Sequence, residues 1–154
     1  MGSSLAARPA LTARSALTRV ALAFLAGALG VLIFHQAFIE ILHLAGIIPN
    51  GAWPMHPTAP LQLPQVLSLA FWGGLWGILM IEVMERLPGV NHLWVSFLFG
   101  GIFPPLIGML VVAPLKGNSV DWTDWHRLLL SFAVNGVWGL GAALSYRALC
   151  RIAR

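Results

Sequence analysis

Glu40 and His43 stand three residues apart in the stretch HQAFIEILH, residues 35–43. At about 100° per residue, a helix sets that carboxylate and imidazole on one face. Gln36 joins the same stripe, while His35 points roughly 100° away from it. Two chemistries suit such a group. Carboxylate and imidazole together take divalent cations such as zinc, manganese or nickel, and a polar stripe inside a membrane marks an ion or proton pathway. The i, i+3 Glu–His pair is the one used by di-metal carboxylate bundles, but those repeat it on a second helix, and this chain does not. The plainer reading is the polar end of a helix leaving the membrane.

Further along, His56 lies in a proline-rich segment, and Asp121, Asp124 and His126 lie in DWTDWH. On one side of a membrane these would form an acidic, histidine-rich vestibule with two candidate metal sets. One is Glu40, His43 and His56, and the other is Asp121, Asp124 and His126. A divalent cation is the cofactor that the sequence favours. Bis-histidine haem fits poorly, because His35 and His43 share one helix. There is no Ser-His-Asp set, glycine-rich phosphate loop or Cys-x-x-Cys, and Cys150 is the single cysteine. No catalytic constellation supports an enzyme.

The elements that must position these residues follow from composition. Of 154 residues 58% are hydrophobic and only 9% charged, against roughly 25% charged in soluble domains. Mean hydropathy is +0.83. This is an all-α integral membrane protein. The few Lys and Arg residues are too dispersed for a nucleic-acid patch. A bilayer core of about 30 Å takes ~20 helical residues, and four stretches are long enough, about 20–48, 66–87, 93–115 and 128–147. The transmembrane domain is expected over 19–148, after a disordered basic segment at 1–18 and before a cytoplasmic tail at 149–154.

Arg8, Arg14, Arg19, Arg86, Arg147, Arg151 and Arg154 fall on one side of those spans, with only Lys116 and Arg127 on the other. The positive-inside rule then predicts a multi-pass inner-membrane protein with both termini in the cytoplasm. LSLAFWGGLWG (67–77) resembles LSFAVNGVWG (130–139), and FLAG (24–27) resembles FLFG (97–100). The pattern is that of two tandem helical hairpins related as a parallel repeat.

In the loop between the first two spans, Pro54, Pro57 and Pro60 recur with the period of a polyproline II cap. Pro104 and Pro105 predict a third helix kinked or broken at its middle, freeing the carbonyls of Gly100 and Gly101. Asn135, Trp138, Trp72 and Trp76 are the nearest donors in depth. A bare-carbonyl midplane site would suit a cation or small polar solute; the plainer alternative is a kink satisfied by a neighbour. Glycines at 73, 77, 100, 101, 136, 139 and 141 predict close helix packing. Two functions remain in view, each with the lipid bilayer as surroundings and either a homo-oligomer or a larger membrane complex as assembly. One is a transporter or channel subunit for a cation, proton or small polar solute. The other is a non-catalytic accessory or assembly subunit.

Overall fold

In lipid each backbone N–H and C=O must find its partner within the protein, and for apolar segments of this length the helix is the solution. The computed structural model describes residues 7–59 and 61–153, with side chains from residue 16. It is mainly helical, and it contains four helices long and apolar enough to cross a membrane: Ala16–Leu44, Gln65–Glu85, His92–Leu115 and Trp125–Ile152. The first span joins α1 (Ala7–Leu29), a π-helical turn (Gly30–His35) and α2 (Gln36–Leu44). The second is α3 (Gln65–Glu85). The third joins α4 (His92–Ile107), a second π-helical turn (Gly108–Val112) and α5 (Ala113–Leu115), and the fourth is α6 (Trp125–Ile152).

The first and third spans end alike. Gly46 takes φ +71, its N–H reaching the His43 carbonyl at 2.9 Å while that of Ile47 reaches Leu42 at 2.9 Å. Gly117 takes φ +73, with the same paired bonds to Pro114 and Ala113. Both are left-handed glycine caps, a conformation that a Cβ penalises. Asn91 accepts the Leu93 N–H at 3.1 Å and Asp124 the Arg127 N–H at 3.0 Å, capping α4 and α6 at their starts.

Several expectations need correction. Residues 7–18, expected to be disordered, are helical, because α1 begins at Ala7; residues 1–6 lie outside the described residues. The first span ends at Leu44 rather than 48, where Gly46 turns the chain. The fourth runs from Trp125 to Ile152, absorbing most of the expected tail; residue 154 lies outside the described residues. The third span is not broken, since α4 continues helically through Pro104 and Pro105. Its one irregular turn comes later, at Gly108–Val112. The proline-rich loop forms a short antiparallel ladder, β1 (Pro57–Thr58) on β2 (Leu63–Pro64), in place of a polyproline II helix; Pro60 lies outside the described residues.

The chain makes two antiparallel helical hairpins, α1 with α3 and α4 with α6, and the first span meets α6 around the end of α1 and the π-helical turn, where Gly27 and Gly30 face Trp138 and Ala142. Ala23, Val31, Met80, Ile81, Trp138 and Ala142 form the core between them. Glycines set the spacing. A Cβ on Gly27 would collide with the Gly73 carbonyl and stand 2.9 Å from Gly77 Cα, and one on Gly100 would collide with the Asn135 carbonyl and stand 3.1 Å from Gly139 Cα. At the end of the bundle that carries the α3–α4 turn, Arg19 bridges Glu82 and Glu85, each at 2.8 Å, and Arg86 meets Glu82 at 3.5 Å. The Glu82–Arg86 pair is legible from its i, i+4 spacing, whereas Arg19 comes from another span. Such partly exposed pairs each contribute ~0–1 kcal/mol.

Candidate functional site

The polar stripe of the first span faces the loop that follows it. Gln36 is 0% exposed. Its Oε1 accepts the Trp53 backbone N–H at 2.7 Å, and its Nε2 donates to His35 Nδ1 at 3.3 Å. Glu40 Oε2 accepts the Ala52 N–H at 2.8 Å, and His43 Nδ1 donates to the Ile48 carbonyl at 3.2 Å. Gly51 sits over both, so that a Cβ there would stand 3.1 Å from Glu40 Oε2 and 3.3 Å from His43 Cδ2. The loop over residues 48–53 is thus fastened to one helix face by three polar side chains, Gln36, Glu40 and His43.

The π-helical turn beneath supplies a further attachment. The Gln36 N–H bonds the carbonyls of Val31 and Ile33, passing over Leu32, whose carbonyl a regular α-helix would offer it. The Trp53 indole donates to that Leu32 carbonyl at 3.0 Å. Trp53 has φ 49, a left-handed conformation uncommon for a bulky residue. Its two bonds to the first span hold it there against a strain of about 1–3 kcal/mol. Trp53, Ala52 and Gly51 escape sequence reading, because nothing local ties Trp53 to a glutamine 17 residues earlier. The Asn50-Gly51 pair, a turn signal, is the one hint.

Beside this fastening lies a cavity of about 530 Å³. Gln36 and Ile39 line it from the first span and Gln65 and Leu69 from the second, and Asn50 and His56 line it from the loop. Of the first metal set, Glu40 and His43 meet around Gly51, while His56 lines the cavity. In the second, Asp121 accepts the Thr123 hydroxyl at 2.6 Å and N–H at 2.8 Å, Asp124 caps α6, and the His126 ring packs edge-on to Trp125. The Thr123 hydroxyl, and then its N–H, hold the Asp121 carboxyl below its ordinary pKa. Among the described residues no three His, Cys, Asp or Glu side chains converge as metal ligands do.

The midplane donors also differ from expectation. Trp138, 2% exposed, donates its indole N–H to the Gly27 carbonyl of the first span at 2.9 Å. Asn135 donates to the Ser131 carbonyl of its own helix at 2.9 Å. Gly100 and Gly101 are buried against Asn135, Gly139 and Phe132 of the fourth span. Trp72 is 58% exposed and packs edge-on to Phe71, while Trp76 packs edge-on to Phe99. These tryptophans are therefore not gathered around the Gly100 and Gly101 carbonyls. Set against family models, curated proteins and solved structures, the chain matches none.

Proposed function

We propose that the chain is a non-catalytic accessory or assembly subunit of a larger membrane complex, in a cell inner membrane with both termini cytoplasmic. The observation that carries this reading is the contact of helices at mid-depth. Gly27 lies against Gly73 and Gly77, Gly100 lies against Asn135 and Gly139, and the Trp138 indole reaches across between α6 and α1. Helix backbones this close fill the middle of the bundle with protein, whereas a conduit needs a hydrated path there. Trp72 and Phe71 lie on the outward face of α3, 58% and 52% exposed, and supply a broad aromatic surface for a neighbouring membrane helix. The transporter or channel reading keeps one supporting feature, the cavity beside Gln36, whose lining does not include Gly100.

The hairpins are, on this reading, two copies of one ancestral unit, and the support lies in matched contacts. Gly27 meets residues 73 and 77 as Gly100 meets 135 and 139, Gly77 meets Ala23 and Gly27 as Gly139 meets Ser96 and Gly100, and the Phe24 ring covers Gly74 as the Phe97 ring covers Gly136. The pairing is the one that the FLAG/FLFG and LSLAFWGGLWG/LSFAVNGVWG alignments predict. The copies diverge where Gly30 and Gly141 let α1 and α6 approach, since Phe103 and Leu79 occupy the matching positions of α4 and α3.

A photo-crosslinking residue at position 72, used in native membranes, tests the assembly role. The reading expects a protein adduct heavier than the 16.6 kDa chain; adducts with lipid alone, from a chain that migrates as a monomer, would count against it. Reporter fusions after Gly89 and Arg154 should give cytoplasmic signals, and those after Gly51 and Asn118 external ones. A cytoplasmic signal at Gly51 would contradict the orientation.

A further inference from the structure

The cavity beside the loop fastening is the one candidate site whose chemistry defines a ligand. Its polar lining consists of three carboxamides, from Gln36, Asn50 and Gln65, and the His56 imidazole. No carboxylate, ammonium or guanidinium lines it among the described residues. A charged ligand would meet no counter-charge there. Carboxamides donate and accept hydrogen bonds at once, as hydroxyl groups do, so the lining is complementary to an uncharged hydroxylated group. Gln36 is fully buried and spends its amide on His35 and Trp53, so the polar groups within reach of a ligand are the side chains of Asn50, His56 and Gln65. Among the described residues no hydrogen bond engages the side chains of Asn50, His56 or Gln65.

The walls are held in place before any ligand arrives. The Gln65 N–H bonds the His56 carbonyl and the Val66 N–H the Pro54 carbonyl, both at 3.0 Å, and the β1–β2 ladder closes the loop between them. At 530 Å³ the cavity falls within the range of about 300–1,000 Å³ typical of small-molecule sites. Ile39 and Leu69 add apolar wall on the two membrane-spanning helices, Leu69 one turn along α3 from Gln65. A ligand seated here meets carboxamides at one end and hydrocarbon-facing helices at the other.

We propose that this cavity binds the uncharged, hydroxyl-bearing head group of a neutral lipid, its acyl chain lying along Ile39 and Leu69. The assignment is independent of the assembly role, because it is read by the binding of a lipid and not of a protein. Native mass spectrometry of the full chain in detergent tests it with mono-oleoylglycerol, oleate and dioleoylphosphatidylglycerol as separate probes. One mono-oleoylglycerol per chain is expected, at least tenfold tighter than either anionic probe. Gln65→Leu and His56→Phe should each weaken it at least fivefold while leaving the melting temperature unchanged. His56 is exposed, so its variant remains informative if Gln65→Leu does not fold. Equal binding of oleate or phosphatidylglycerol, or undiminished mono-oleoylglycerol binding by the folded variants, would overturn the proposal.

Discussion

Gln36 and Glu40 direct their acceptors to backbone N–H groups of a loop, and this sets what their replacement costs. Gln36→Leu leaves the Trp53 N–H without its acceptor beside a strained backbone, so a loss of about 1–3 kcal/mol is expected. It should appear as a lower melting temperature in detergent and faster hydrogen exchange at residues 51–53. Glu40→Gln retains a carbonyl oxygen for the Ala52 N–H and should cost less than about 1 kcal/mol, since only the charge assistance is lost. A Glu40→Gln loss equal to that of Gln36→Leu would mean that the charge itself holds the loop. Asp121 offers a separate test, outside the spans. Its folded-state pKa lies below the ordinary value because it accepts from Thr123, so its contribution to loop order is present above the ordinary carboxylate pKa and fades as pH falls through the folded value. Thr123→Ala removes the hydroxyl and should move the Asp121 titration upward, toward the ordinary carboxylate value, as read by carboxyl NMR; an unmoved titration would refute the assigned cause.

Close glycine contacts make the two hairpins directly comparable. Gly27→Ala and Gly100→Ala each set a methyl group against a carbonyl of the partner helix, and overpacking of this kind costs about 1–3 kcal/mol. If the hairpins are copies, the two losses should agree within experimental error. Gly108 has no atom within 4 Å of its would-be Cβ and helical φ −55, so Gly108→Ala should be neutral or add ~0.5–1 kcal/mol. Thermal unfolding of the three variants decides; a harmless Gly100→Ala would remove the equivalence. Much of this level is legible in sequence, because hydropathy and glycine spacing depend on residues within one helix. The four apolar helices and their close packing can both be read that way. The unbroken third span is not legible, because in a membrane helix the backbone groups that a proline frees can be satisfied by groups outside its own sequence. The Trp53 fastening is not either, because it joins residues brought together only by a turn.

Taken whole, the chain is a bundle of four long apolar helices with polar groups concentrated at its ends and glycine, alanine and Trp138 at its centre. The sequence supports two functions for such a molecule because its polar stripe reads equally well as a relay or as a helix end. The assembly proposal leans on the direction of the hydrogen bonds: Gln36, Glu40 and His43 bond the loop backbone, and Trp138 bonds Gly27 across the contact between α6 and α1. A proton relay would instead present those groups to water along a continuous path. The most direct measurement is therefore proton flux into liposomes containing the purified chain, followed with an enclosed pH-sensitive dye under an imposed pH gradient. The account predicts dye traces that match those of protein-free liposomes, for the parent and for Glu40→Gln alike. Flux above that background, abolished by Glu40→Gln in a correctly folded protein, would contradict it.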